Sequence, residues 1–394
     1  MAIKMLPKWL GIVSFLALLY GCAAPAAPQN TLVLRNGLLI DGAGAEPLPN
    51  AVVVIQGERI TAVGASDAIE IPPGARVIDL QGAVILPGFI NAHVHYAYDK
   101  KNLQAWAYGG VTTVRDEGII SSSANDLKKY LAQRDANNQN PKYARVAAAG
   151  YMITVPGGYG SLFVNSPEEA RQQTLAELDA GVDLIKISLE DGYAGTTGLP
   201  KLSDEEIGAI ITAAHERGKR VSGHITQARY LQILAAAGVD DIAHIAYDPV
   251  AAEAWATMVS KNIYLVPTFT VLRNYGAPIA NCTANLENFL AQGGQAALGS
   301  DYGGGPGDFE LGIPMYEIEQ MSAAGMSPMQ IILASTRNAA IVSGIEQETG
   351  TLVAGKLADI LVVAQNPLDD LQNLRAIQMV IHGGTIIRSE LLQP

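Results

Sequence analysis

His93 and His95 flank a single valine at the end of the apolar run AVILPGFINAHVH, residues 83–95. In an extended strand, residues i and i+2 project to the same side, so both imidazoles can reach one metal ion. Four further residues share this kind of placement. Lys186 sits in VDLIKIS near the end of its run, His224 ends RVSGH, His244 ends DDIAH and Asp301 follows ALGS, so each stands toward the C-terminal end of a strand-like run. Apart from Lys186, all are His or Asp, donors suited to a divalent cation. Six such placements make coincidence a poor explanation. The other two histidines read differently. His215 lies on an amphipathic helical segment beside Glu216 and Arg217, a solvated face, and His382 lies in the C-terminal β texture away from every one of those strand ends.

These residues need elements that bring distant strand ends together. Counting the run that ends at His93 and His95, there are eight strand-like runs. The others are Val111–Arg115, Ala144–Ala149, Leu184–Ile187, Val221–His224, Asp241–His244, Tyr264–Val266 and Ala296–Ser300. Helix-like segments such as LSDEEIGAIITAAHERG (202–218) separate them. The alternation predicts an α/β fold, a (β/α)8 TIM-like barrel over 85–345, whose strand C-termini carry the chemistry. Short β-type runs broken by glycine turns fill 31–84 and return in 346–394. Matching texture on both sides of a different middle predicts one small composite β-sandwich domain built from both chain ends.

The first thirty residues have another character. Lys4 and Lys8 precede an apolar stretch from Trp9 to Tyr20, and small residues surround Cys22. That order fits a secretory signal over 1–21, since the stretch falls short of the roughly 20 apolar residues that span a bilayer. LYGC (19–22) resembles the bacterial lipobox, which implies Cys22 as the lipidated N-terminus of an extracytoplasmic, membrane-anchored lipoprotein, with 22–30 as a tether. Cys282 is the other cysteine, so acylation of Cys22 excludes an intramolecular disulfide. The net charge is −12, and −14 once Lys4 and Lys8 are removed, which disfavours nucleic-acid binding. A homo-oligomer is compatible with the sequence.

From Thr31 to the C-terminus the chain resembles the amidohydrolase superfamily, in its imidazolonepropionase-related, prolidase-like dipeptidase branch. The resemblance rests on ILPGFINAHVH (85–95), GVTTVRDEG (110–118), VDLIKIS, LGSDYGGGPG (298–307) and GTLVAGKLADILVV (350–363). It implies two divalent metals, zinc first: one on His93, His95 and Asp301, one on His224 and His244. Lys186, carboxylated by carbon dioxide, would bridge them, because an ammonium beside two dications is electrostatically untenable. The alternative is a mononuclear site in which Lys186 only pairs with an acid. Tyr159, in PGGYG (156–160), occupies the place where many relatives carry a substrate-contacting His, and can donate a hydrogen bond without acting as a cation. The stretch from Thr268 to Asp301 reads as shorter than in many relatives, which implies a more open pocket.

The chemistry expected is hydrolysis of C–N bonds in small amide or peptide-like molecules, with ester or lactone side activity. Metals polarise the carbonyl and lower the pKa of bound water toward 7, and Asp301 shuttles the proton to the leaving nitrogen. Dipeptides and N-acyl amino acids are the first substrates expected. Competing readings are a mononuclear deaminase or cyclic-amide hydrolase, and a non-catalytic binding lipoprotein.

Overall fold

The computed structural model describes residues 31–119, 126–192, 197–305 and 307–391. The segments assigned above as signal, Cys22 and tether lie outside the described residues. Among those described, no helix is long and apolar enough to cross a membrane.

Five strands open the chain: β1 (Thr31–Leu39), β2 (Leu48–Gln56), β3 (Arg59–Ala65), β4 (Arg76–Asp79) and β5 (Val84–Pro87). The middle alternates as the strand-like runs require. It contains β6 (Phe89–Val94), α1 (Lys100–Tyr108), β7 (Val111–Asp116), α2 (Asp126–Asn138), β8 (Arg145–Thr154), β9 (Leu162–Phe163), α3 (Pro167–Ala180) and β10 (Leu184–Ser188). Then follow α4 (Asp204–Glu216), β11 (Arg220–His224), α5 (Ala228–Ala237), β12 (Asp241–Ala243), α6 (Ala252–Ser260) and β13 (Tyr264–Val266). The stretch from Thr268 to Asp301 carries α7 (Phe269–Asn274) and α8 (Ile279–Ala291), followed by α9 (Met315–Ala323), α10 (Pro328–Leu333) and α11 (Ala339–Val342). The strands β14 (Ile360–Val363), β15 (Ile377–His382) and β16 (Thr385–Ser389) end the chain.

Both ends join in one sheet of order β16-β15-β14-β5-β1-β2-β3, with β4 also on β1. The junction is the antiparallel pair β5–β14, in register from Ile360 opposite Pro87 to Val363 opposite Val84. Strand periodicity decides which face each side chain serves. Ile85, Ile360, Val362, Met379 and Ile381 enter the core of the sheet domain, while their neighbours Val84, Leu86, Leu361, Val363 and Val380 enter the barrel core. The composite sheet therefore shares a wall with the barrel.

The barrel strands run in parallel order β6-β7-β8-β10-β11-β12-β13. The eighth run, 296–300, is extended but irregular. It closes the cylinder through Ala297 N to Leu265 O (2.9 Å) on one side and Ala92 N to Leu298 O (2.7 Å) on the other. Helix ends carry the expected stop and start chemistry. Ser203 and Glu206 form a reciprocal capping box on α4, Ser166 caps α3 ahead of Pro167, and Gly181 ends α3 in the left-handed conformation.

Glu177 is one of the helix residues that break the apolar pattern of the barrel wall. Glu177 of α3 is buried, with one oxygen accepting the Tyr151 N–H (2.6 Å) and the other without a hydrogen-bond partner. Burial pushes its carboxyl up to about 8. A carboxyl whose folded pKa lies above its unfolded value favours folding below the unfolded pKa, and that contribution is lost as pH rises through the folded one. We therefore expect stability to decline between pH 4.5 and about 8. In urea melts, Glu177→Gln should remove a slope of about 1.4 kcal/mol per pH unit across that window. An unchanged slope would show that Glu177 does not titrate there.

Candidate metal centre

Each expected ligand leaves the mouth end of its own strand. His93 lies in β6 and His95 directly follows it, Lys186 lies in β10, His224 ends β11, His244 follows β12, and Asp301 ends the closing segment. The backbone stitches this segment to β6: Asp301 N donates to His93 O (2.8 Å), and Asn91 exchanges bonds with Ser300 (Nδ2 to Oγ 2.8 Å, Oδ1 from N 3.1 Å). The approach is close enough that a side chain cannot be added. A Cβ on Gly299 would stand 2.8 Å from the His93 Cβ, and one on Gly304 would stand 2.1 Å from Asp301 Oδ1.

Asp301 Oδ1 lies 3.3 Å from His93 Nε2 and 3.2 Å from His95 Nε2, and the ligand atoms of the three residues all fall within 4.8 Å of one another. The oxygen is buried and makes no hydrogen bond; His93 Nδ1 is equally without a partner. Buried polar atoms left unsatisfied in a ring of N and O donors are what a divalent cation would complete, so these residues fit one.

The other two imidazoles continue the ring. His244 lies 4.8 Å from His93 and 4.6 Å from His224, measured between ring centroids, and Tyr159 lies 4.7 Å from His224. His244 Nδ1 is 2.7 Å from Thr268 Oγ1 and 3.9 Å from Asp301 Oδ2. Glu317 holds Thr268's neighbours in place, accepting the N–H groups of Phe269 and Thr270 at 2.9 Å. His95 is oriented through Nδ1 by the Gly118 carbonyl at 3.0 Å. Partners of this kind fix which ring nitrogen faces the cation.

Electrostatics prepare the donors. Burial holds His93 well below the usual histidine range, reinforced by the Lys186 charge, and burial with the charge on His224 does the same to His244. For His95 burial pulls downward, but the carboxylate of Asp301 outweighs it and raises the imidazole. His224 is lowered by burial against the opposing pull of Glu190. Neutral imidazoles keep a lone pair for metal binding.

Lys186 is brought to the floor of this site, 1 % exposed, with its ammonium on Glu117. Glu117 also accepts from Ser222 Oγ (2.9 Å) and meets Arg115 Nε (2.7 Å). Glu190, which the sequence reading did not single out, accepts from Thr226 Oγ1 (2.6 Å) and from the Gly192 N–H (2.9 Å), and lies 3.3 Å from His224 Nε2. His215 pairs with Asp240 on the exposed face of α4, and His382 with the Pro141 carbonyl, both apart from the cluster as the sequence implied. Above the ligands lies a cavity of about 130 Å³ walled by Tyr159, Glu190, Tyr247, Val271, Leu272 and Tyr275, with His224, His244 and Asp301 at its base.

Residues 84–387 match the Amidohydrolase family. The chain is 25% identical to the ochratoxinase of Aspergillus niger over 92% of this chain and 88% of that one. It is 26% identical to the imidazolonepropionase of Symbiobacterium thermophilum over 86% and 91% respectively. Among solved structures, a Xaa-Pro dipeptidase with methionine bound in its active site superposes with a TM-score of 0.78 at 25% identity. It covers 90% of this chain and 99% of its own.

Proposed function

This chain belongs to the Amidohydrolase family, and on that premise we propose that its barrel mouth hydrolyses C–N bonds of small amides around a cation held by His93, His95 and Asp301. The observation that carries the reading is the unsatisfied Asp301 oxygen between two imidazoles. A bound divalent cation supplies Lewis acidity toward a carbonyl oxygen and makes water a better acid. The remaining work falls to the protein. Asp301 has a second oxygen directed toward His244, and it takes the proton of the attacking water and delivers it to the leaving nitrogen. Tyr159 places a phenol on the cavity wall as a donor for the substrate. Val271, Leu272 and the tyrosines exclude bulk water, which strengthens each of these interactions.

Asp301→Asn replaces one charge by an isosteric amide that cannot relay a proton. We expect it to keep its circular dichroism spectrum while kcat falls about 10²- to 10⁴-fold on every amide that the zinc-loaded wild type cleaves. Near wild-type kcat would remove Asp301 from the proton path, and a wild type inert to amides, esters and lactones would favour a binding role.

We propose that Lys186, carboxylated by carbon dioxide, would supply carbamate oxygens to this cation and to a second that His224 and His244 would hold. The Lys186–Glu117 ion pair supports the alternative, a mononuclear centre in which the amine stays free, as in a deaminase or cyclic-amide hydrolase. Metal content and ¹³C NMR after incubation with labelled bicarbonate separate the two. Two zinc ions per chain with a carbamate signal lost in Lys186→Ala is the expected result; one ion and no signal assigns the mononuclear site.

An acyl anchor on Cys22, holding the enzyme on the outer side of a membrane, completes the reading; it rests on the lipobox-like LYGC. Cys22→Ser should move the protein from the membrane fraction to the soluble one, and a soluble wild type would refute the anchor.

A further inference from the structure

The cavity over the ligands has an unusual charge balance for a site that handles amides. Its walls combine phenols and aliphatic side chains with two carboxylates, Glu190 and Asp301, and contain no Lys or Arg. The adjoining cleft, across the loop that follows Asp301, is lined by Tyr96, Tyr98, Tyr302 and Phe309 together with Asp99 and Asp308, again without a Lys or Arg. The internal residues outside the description, 120–125, 193–196 and 306, hold none in sequence. Lys201 and Arg229 are both bound to Asp191, the chain neighbour of Glu190 (2.8 and 2.9 Å). Away from the cation at its base, the described wall of the cavity therefore offers a substrate carboxylate the like charge of Glu190 and no Lys or Arg to pair with.

For an ammonium, Glu190 is placed to do the opposite. It is 1 % exposed and stands on the cavity wall beside Thr226 and His224. Among the described residues its partners are Gly192 N, Thr226 Oγ1 and His224 Nε2, whereas a carboxylate offers about four acceptor positions.

We propose that this site selects amides whose group in the Tyr159–Tyr275 cavity is uncharged or cationic and apolar in its body, with Glu190 as the specificity-determining carboxylate, and that it rejects a carboxylate there. The proposal rests on the hydrolase reading above and narrows its substrates. The group seated here is the one borne by the scissile nitrogen, so a free carboxylate on that side, as in a dipeptide or an N-acyl amino acid, is disfavoured.

The test uses three amides with one benzoyl group and chains of equal length: N-benzoylglycine, N-benzoylethanolamine and N-benzoylethylenediamine, ending in carboxylate, hydroxyl and ammonium. With the zinc-loaded full chain, kcat/KM for the hydroxyl and ammonium members should exceed that for the carboxylate by about tenfold or more. Glu190→Gln should shrink the ammonium-to-carboxylate ratio about tenfold. Taking the ratio within one variant cancels any general loss transmitted through His224. Equal or better turnover of N-benzoylglycine, or an unchanged ratio in Glu190→Gln, would overturn the proposal. Calorimetry on the full chain before zinc loading gives a readout independent of turnover. 2-Phenylethylammonium should bind more tightly than 3-phenylpropanoate, and Glu190→Gln should weaken the ammonium about tenfold; equal affinities would overturn the proposal. If no benzoyl amide is cleaved while the binding order holds, the hydrolase reading falls and the charge selection stands.

Discussion

The guanidinium of Arg115, 0 % exposed, is the constraint on which the rest of the barrel depends. Nε donates to Ala92 O (2.6 Å) and meets Glu117 (2.7 Å), Nη1 and Nη2 grip Asp241 (2.8 and 3.0 Å), and Nη1 also reaches Val342 O (2.9 Å). Glu117 in turn holds Lys186 and Ser222, and Ser222 donates to Asp241 (2.8 Å). A buried charge is tolerable only when its partners are complete, since breaking one such pair leaves an uncompensated ion at a cost of about 3–5 kcal/mol. The network therefore enforces strand register. Ala92 precedes His93, Ser222 precedes His224 by two residues and Asp241 precedes His244 by three. Satisfying Arg115 sets β6, β10, β11 and β12 at the heights that bring their ligands to one plane.

Above that floor the chain bends sharply. Tyr96, His244, Thr268 and Asp301 all adopt left-handed backbone angles (φ of 58, 75, 55 and 55°), each just past the end of a strand or of the closing segment. Among the described residues, the other non-glycine positions with positive φ are Asn36, Asn50, Gln81 and Asn262, mostly of the type that tolerates this conformation. At the mouth, Tyr96 and Thr268 are of types that do not favour it, at about 1–2 kcal/mol each, whereas His244 and Asp301 tolerate it better. What holds them is the surrounding bonding, such as Thr268 on His244 and Asp301 N on His93 O. Strain gathered where side chains must turn inward from a parallel sheet is characteristic of a functional rim.

The barrel and the ligands were legible because both follow short-range rules: apolar runs of strand length, each ending in a donor. The composite sheet was legible for the same reason, in texture, although texture alone could not tell that β5 would pair with β14 or that alternate residues of both would serve two cores. The 296–300 run is apolar enough to count as a strand, yet scattered bonds and an isolated bridge rather than a regular ladder tie it to its neighbours, with Gly299 close against His93. Glu190 and Glu117 escaped the reading. Glu117 sits in the quoted GVTTVRDEG, where Arg115 and Glu117 in an otherwise apolar strand were a signal of a buried ion network. Glu190 follows β10 in a loop and its importance depends on His224 and Thr226, thirty-odd residues away, which no local pattern reveals.

The seam between β6 and the 296–301 segment has a consequence in time. The first ligands lie at His93 and His95 and the last at Asp301, and the strand that completes the shared wall, β14, begins only at Ile360. A chain emerging from its N-terminus thus carries its paired imidazoles long before it owns the carboxylate that faces them or the wall that covers them. Most of the parallel sheet can zip up locally, strand beside strand, but the cylinder stays an open, curled ribbon until the seam is stitched, and such long-range pairing is the slow part of folding. Occupancy by a cation therefore reports that the last turn of assembly has taken place, which makes the metal a checkpoint for completeness as much as a reagent.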